Sequence, residues 1–179
     1  MLPWTHLAFG YALFLAVLVV SRRAVSRAEL LALLAGTQLP DIVDKPLAWW
    51  VHLLPSGRSL AHSLLFAVPA VVLVTVVARW YGHGELGPAF ALGYASHLLG
   101  DIYVELWYWR TEELTFLLWP VLPPYPYDDF TGFLDFALRA EVTTGLVIQS
   151  GVAAVGLAVL AVQFLRAPWW RPPADRHAG

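Results

Sequence analysis

Residues 86–109 read LGPAFALGYASHLLGDIYVELWYW, and they give the clearest indication of how the chain folds. It is apolar and long enough to cross a bilayer as a helix, since one span needs about 20 residues. The ionisable residues His97 and Asp101 interrupt its middle. Their spacing of four residues places both side chains on one face of a helix. Because an ionisable side chain is costly in hydrocarbon, the pair requires a partner or a function.

The composition of the whole chain indicates an integral membrane protein whose surroundings are the lipid bilayer. Of 179 residues, 59% are hydrophobic and 13% are charged, whereas a soluble domain carries about 25% charged residues. The net charge of −2 argues against a nucleic-acid partner. The sequence has no cysteine, so histidine and carboxylate remain as the expected metal ligands.

Four further apolar segments predict helices, and they cover residues 4–20, 28–39, 60–78 and 142–165. We expect the short second segment to end at Gly36 and Pro40, because both residues stop helices. Residues 110–140 should form a loop with an interfacial or re-entrant piece. The prediction is an all-α, polytopic membrane protein with about five transmembrane or membrane-embedded helices.

We expect one helical membrane domain over residues 1–166 and a short cytoplasmic tail over residues 167–179. The first segment has neither a basic stretch before it nor a cleavage site after it, so we expect it to be retained as a span. Seven arginines would share one side of the membrane and four basic residues the other. Because cytoplasmic loops are enriched in Lys and Arg, this favours an outer N-terminus and a cytoplasmic C-terminus.

Six residues of metal-ligand type lie inside these segments or at their ends: His6, Asp41, Asp44, His62, His97 and Asp101. The predicted topology brings all six to the outer face, which predicts one shared metal site. Simpler interpretations exist for its parts. His97 and Asp101 could form a hydrogen-bonded pair that joins two helices. Asp44 could pair with Lys45 in a solvated loop, and His62 could be an interfacial residue without a task.

Other polar residues are candidates for catalysis. Arg58 could bind a phosphate, because guanidinium binds phosphate through two hydrogen bonds, or it could be a topological or headgroup-contacting arginine. Glu105 lies four residues after Asp101 and so on the same helix face. It is a candidate base, or a carboxylate that hydrogen-bonds a metal ligand without binding the metal. Asp44 is the other candidate base. A solvated acidic loop is the simpler interpretation of the weaker candidates, Asp128, Asp129, Asp135 and Glu141. Three histidines without acidic partners are set aside: His52, His83 and His177.

Several motifs between residues 5 and 120 carry a family resemblance: Thr5-His6, Leu39-Pro40-Asp41-x-x-Asp44, Arg58 with His62-Ser63-Leu64, Gly93-Tyr94-x-Ser96-His97-Leu98-Leu99-x-Asp101, and Leu117-Leu118-Trp119-Pro120. Together they resemble the YdjM-like family of inner-membrane metal-dependent hydrolases, also described as LexA-binding proteins. That family is distantly similar to zinc-dependent phospholipase C and the single-strand-specific zinc nucleases, which cleave phosphate esters.

The resemblance implies one or two divalent ions, with zinc favoured. One ion would be held by Asp41 or Asp44 together with His62, His97 and Asp101. Asp101 would bridge to a second ion held also by His6. The implied function is hydrolysis of a phosphoester at the outer membrane face, with a phospholipid headgroup as candidate substrate. The alternative is a non-catalytic, metal-stabilised scaffold or an adaptor that binds a partner. A transporter is a weaker third interpretation, since few polar residues occupy the inner halves of the spans.

Overall fold

The computed structural model describes residues 2–125, 130–139 and 142–170, and all regular structure within these ranges is helical. The helices are α1 (Pro3–Ser21), α2 (Arg27–Trp49), α3 (Leu64–Trp80), α4 (Leu86–Trp107), a 3-10 helix (Thr111–Leu118), α5 (Phe133–Arg139) and α6 (Thr144–Arg166). The all-α prediction is therefore confirmed for the described residues. Some predicted features lie outside them: Asp128, Asp129, Glu141 and the tail from Arg171, including Arg176 and His177.

The second helix corrects the prediction that a short segment ends near Pro40. α2 begins with a capping box, in which Ser26 and Glu29 bond each other's backbone amides, and it continues through Pro40 and Pro46. Proline removes one backbone hydrogen bond, but packing against neighbouring helices can compensate for that loss in membrane helices. As a result, Asp41 and Asp44 lie on a helix and not in a loop.

Close packing between α2 and α4 explains why α2 stays helical through its prolines. A Cβ atom at Gly36 would overlap the backbone carbonyl oxygen of Phe90, and one at Gly93 would overlap that of Leu33. Glycine at both positions therefore lets the two backbones come into direct contact, as small residues do between membrane helices. This contact fixes the α2 carboxylates opposite the polar face of α4.

The remaining helices surround this pair. α4 also packs against α1 and α3, while α6 packs against α1. α1 and α6 are long and apolar enough to cross a membrane, and α3 is apolar but shorter. α3 and α6 expose many aliphatic side chains, among them Val68, Val72, Leu73, Val147, Ile148 and Val152. An apolar outer surface of this kind suits contact with lipid.

Connections between the helices differ from the predicted ones in two places. α3 begins at Leu64, so residues 59–62 form a turn before the helix and His62 belongs to that turn. Between α4 and α6 the predicted loop contains two short helices, the 3-10 helix and α5. The end of α6 is fixed to the start of α2, because the Arg27 guanidinium donates hydrogen bonds to the carbonyls of Leu165 (2.7 Å) and Ala167 (2.8 Å).

Candidate metal centre

The turn that carries His62 is organised by one buried carboxylate on α2. Asp44 accepts hydrogen bonds from the backbone amides of Ser59 (2.9 Å), Ala61 (2.8 Å) and His62 (3.2 Å). It also accepts the Nδ1 hydrogen of the His62 ring at 2.8 Å, since a carboxylate can only accept here. The sequence predicts Asp44 as a ligand and a base. In the structure it lies behind His62 and positions that ring.

The second histidine is oriented in a similar way by the backbone of α2. His97 Nδ1 lies 2.7 Å from the carbonyl oxygen of Thr37, so it donates to that oxygen. Both histidines therefore use Nδ1 as the donor and direct Nε2 into the cluster. The two Nε2 atoms are only 3.1 Å apart and both rings are fully buried. Two lone pairs at this distance require a cation between them, either a proton or a metal ion.

Two aspartates complete a four-atom cage around the Nε2 atoms. Asp101 Oδ2 lies 3.4 Å from His62 Nε2 and 3.8 Å from His97 Nε2. Asp41 Oδ1 lies 3.6 and 3.7 Å from the same two nitrogens. A tetrahedral zinc site with bonds of about 2.0–2.1 Å has ligand atoms about 3.3 Å apart. The five distances that involve the two Nε2 atoms, 3.1 to 3.8 Å, are therefore close to those that zinc requires.

His6 lies beside this cage, on the side of His97. Its ring stacks on that of His97 with centroids 3.9 Å apart, and its Nε2 lies 3.3 Å from Asp101 Oδ1. Its Nδ1 is buried and has no hydrogen-bond partner among the described residues. The geometry allows two overlapping ligand groups: His6, Asp41 and His97, or His62, His97 and Asp101. Asp44 is in neither group.

Negative charge is in excess around the cage. Within the described ranges, five carboxylates lie close to three cationic side chains: Asp41, Asp44, Asp101, Glu105 and Glu113 against Lys45, Arg58 and Arg110. All five carboxylate residues are buried. Buried charges persist only when they are paired or bind a metal. A divalent cation in the cage would compensate this excess, so the donor set fits a metal ion.

Arg58 and Glu105, the predicted phosphate-binding residue and candidate base, lie beside the cage. Arg58 contacts Asp101 Oδ1 at 3.2 Å and Glu105 Oε1 at 3.4 Å. Glu105 also pairs with Arg110 at 2.8 Å, and Arg110 pairs with Glu113 at 3.1 Å. Glu105 is thus a carboxylate held between two guanidinium groups. Lys45 pairs with Asp41 at 2.6 Å, and not with Asp44 as the simpler interpretation proposed.

A cavity of about 420 Å³ opens beside these residues. Asp101 forms part of its wall, so the cavity borders the cage. Three cationic groups, those of Lys45, Arg58 and Arg110, line it together with the carboxylates of Asp101, Glu105 and Glu113 and with aromatic and aliphatic side chains. A small anionic group could therefore enter the cavity and approach the cage.

The 3-10 helix contributes a carboxyl group to the cavity that the sequence analysis missed. Burial, reinforced by the nearby Glu105 carboxylate, raises the pKa of Glu113 above its usual value. Arg110 and the Thr37 carbonyl were also missed as parts of the site. Arg110-x-x-Glu113 could have been noticed as an ion pair at helical spacing just after Glu105. Nothing in the sequence indicates which backbone carbonyl would face His97.

The fold and the site define a helical membrane protein with a buried His/Asp cluster that can hold a metal ion. The family model of the YdjM inner membrane protein matches residues 1–170. The chain belongs to that family, and it is a membrane protein of the inner-membrane type. No curated protein and no solved structure matches the chain. The similarity to zinc phospholipases and nucleases stays a prediction.

Proposed function

We propose that the chain crosses the inner membrane five times, with α1, α2, α3, α4 and α6 as spans. α2 and α4 are 23 and 22 residues long, about 34 and 33 Å, which is enough to cross hydrocarbon. The charged residues in the second half of α2 have partners within the protein, since Lys45 pairs with Asp41 and Asp44 bonds the His62 ring. The distribution of basic residues supports an N-terminus outside and a C-terminus in the cytoplasm.

The proposed cofactor is one zinc ion held by Asp41, His62, His97 and Asp101. The match between the cage distances and tetrahedral zinc supports this assignment. Asp44 and the Thr37 carbonyl would orient the two imidazoles. In zinc sites, groups that hydrogen-bond the ligating histidines commonly have this role. One ion is favoured over two, because the Arg58 guanidinium already lies at Asp101 Oδ1, which a second ion near His6 would need.

The proposed activity is hydrolysis of a phosphoester in the adjoining cavity. The observation that carries it is the wall formed by Asp101, which joins a cage of metal ligands to a space lined by Arg58 and Arg110. For catalysis, Asp41 would leave the fourth tetrahedral position to water, because an ion held by four protein ligands has no open position. Zinc held by the other three residues would then supply an activated water and a Lewis acid. Arg58 and Arg110 would bind the phosphoryl oxygens, and Glu105 would accept the proton released by the attacking water.

A second candidate function is a metal-stabilised scaffold or adaptor without catalysis. The observation that favours it is burial: the rings of His6, His62 and His97 are almost inaccessible. In that case the ion would only join α2, α4 and the turn before α3. A closed set of protein ligands would indicate a structural site, whereas a position open to water indicates catalysis.

The test is to purify the protein in detergent, supply zinc, and measure bound metal by mass spectrometry. We expect about one zinc ion per chain in the wild type and none in His97→Ala or Asp101→Ala. The matched control is His52→Asn, which replaces an exposed histidine outside the cage at a positive φ that asparagine tolerates. Zinc retained in His97→Ala and Asp101→Ala would refute the assignment of the cage.

Catalysis is tested next on the same samples with lipid and soluble phosphoesters. Zinc-dependent release of phosphate or of a phosphorylated headgroup, lost in Arg58→Ala, would support the hydrolase. Stoichiometric zinc without turnover of any substrate in the panel would favour the scaffold.

A further inference from the structure

A second concave surface lies on the side of α4 that faces α6. α4 and α6 both pack against α1, and a groove of about 550 Å³ remains beside them. It is lined by Phe9, Leu99, Gly100, Ile102, Tyr103, Leu106 and Gln149. Leu99, Tyr103 and Leu106 are each about half exposed, so the groove is open on its outer side.

We propose that the substrate is a phosphate-bearing lipid, with its phosphate in the cavity beside the cage and an acyl chain in this groove. The inference rests on the proposed function and adds the substrate class to it. A lipid would then enter sideways from the bilayer and would not need to leave the membrane.

Continuity between groove and cavity is the first argument. Gln149 on α6 lines both spaces. On α4, Asp101 and Glu105 line the cavity, while Ile102 and Leu106, one residue further along the helix, line the groove. Adjacent helix positions point about 100° apart, so one helix presents its polar face to the cavity and its neighbouring apolar face to the groove.

Complementary chemistry is the second argument. The cavity is lined by charged side chains, three cations (Lys45, Arg58 and Arg110) and three carboxylates (Asp101, Glu105 and Glu113), whereas the groove contains no charged residue among its described lining. A lipid phosphate has the same division, an anionic head joined to an apolar chain. A water-soluble phosphoester would use the charged cavity but gain nothing from the groove.

The experiment compares two ligands that share one headgroup. Dioleoyl phosphatidic acid in mixed micelles carries acyl chains, and glycerol 3-phosphate has the same phosphate without them. The groove is filled by Leu99→Trp or, separately, by Leu106→Trp. The control is Val72→Trp on α3, whose exposure of 55% is close to the 51% of Leu99. Equilibrium binding is measured first and hydrolysis second, on samples that elute as single species.

We expect each groove variant to bind phosphatidic acid about tenfold more weakly, the effect of losing roughly two buried methylene groups. Binding of glycerol 3-phosphate should not change, and Val72→Trp should behave as wild type. Should a Trp variant fail to fold, Leu99→Ala and Leu106→Ala, which remove groove contacts, replace it with the same expectation.

Equal binding of phosphatidic acid by the groove variants and Val72→Trp would overturn the inference. So would wild-type protein that binds glycerol 3-phosphate as tightly as phosphatidic acid. Lipid binding that is sensitive to the groove but is never followed by hydrolysis would refute the proposed hydrolase and support the lipid site.

Discussion

Asp44 provides the sharpest prediction, because its carboxylate holds a whole turn in place. Asp44→Asn keeps the size of the side chain but replaces one acceptor oxygen by an amide donor. Oδ2 accepts from the amides of Ser59 and His62 and from the His62 ring, and Oδ1 accepts from Ala61. Whichever way the new amide turns, at least one backbone N–H faces another donor.

The magnitude follows from these four contacts. Hydrogen bonds to a charged acceptor contribute about 1.5–3 kcal/mol each, and breaking a buried charged pair costs about 3–5 kcal/mol. We expect Asp44→Asn to lose about 3–5 kcal/mol of stability and to melt roughly 10 °C lower in detergent. Zinc affinity, measured by competition with a chelator, should fall about 10- to 100-fold, which is the usual loss when a residue that hydrogen-bonds a zinc ligand is removed.

The control for this experiment is Asp135→Asn. Asp135 is a carboxylate outside the cage that bonds the amide of Thr131 and pairs with Arg139. Its replacement should leave zinc affinity unchanged. An Asp44→Asn protein with wild-type melting temperature and wild-type zinc affinity would refute the positioning role. Complete loss of zinc in a variant that melts normally would instead indicate that Asp44 is itself a ligand.

Three further predictions concern metal, packing and pH. Removal of metal by a chelator should lower the melting temperature of the wild type but not that of His97→Ala; an equal fall in both would contradict the cage. Gly36→Ala should destabilise the protein by about 1–3 kcal/mol, because the added Cβ overlaps the α4 backbone. Gly151 has open space around it, so the control Gly151→Ala should be neutral or slightly stabilising in thermal unfolding. The pKa of Glu113 is raised in the folded state, so the contribution of this group to stability is present below pH about 4.5 and is lost as pH rises through the raised pKa. Glu113→Gln should therefore flatten that part of the profile of unfolding free energy against pH. An unchanged profile in this variant would contradict the raised pKa.

Hydrophobic pattern was sufficient to predict the five long helices, but not where α2 ends or that the loop after α4 contains two short helices. Length and polarity identify α1, α3, α4 and α6 to within a few residues. The usual effect of proline predicts that α2 stops at Pro40, and the structure shows helix to Trp49. The reason lies in tertiary packing: Gly36 contacts the backbone of Phe90 on α4, and a single sequence contains no signal for that pairing.

For the candidate site, helical spacing predicts which side chains share a face but not how each one is used. The four-residue spacing of His97 and Asp101 places them together, and their closest ligand atoms are 3.8 Å apart. Asp44 positions His62, whereas Asp41 faces the two Nε2 atoms, and the turn at residues 59–62 sets this difference. Three amides of the turn donate to Asp44 and not to Asp41. That turn has no periodic pattern, so its contacts could not be predicted from the sequence.

The spread of the cage residues along the chain has a consequence for biosynthesis. His6 is synthesised before α2, whereas Asp101 is synthesised only after α1, α2 and α3. Until α4 packs against the earlier helices, His6 lacks Asp101. Asp41 and His62 then keep their contacts to Lys45 and Asp44 but lack those to His97 and Asp101. We therefore expect metal loading to be a late step of membrane insertion. A nascent chain stopped before α4 would present unpaired polar groups in the bilayer, a feature that membrane proteases and insertion chaperones could recognise.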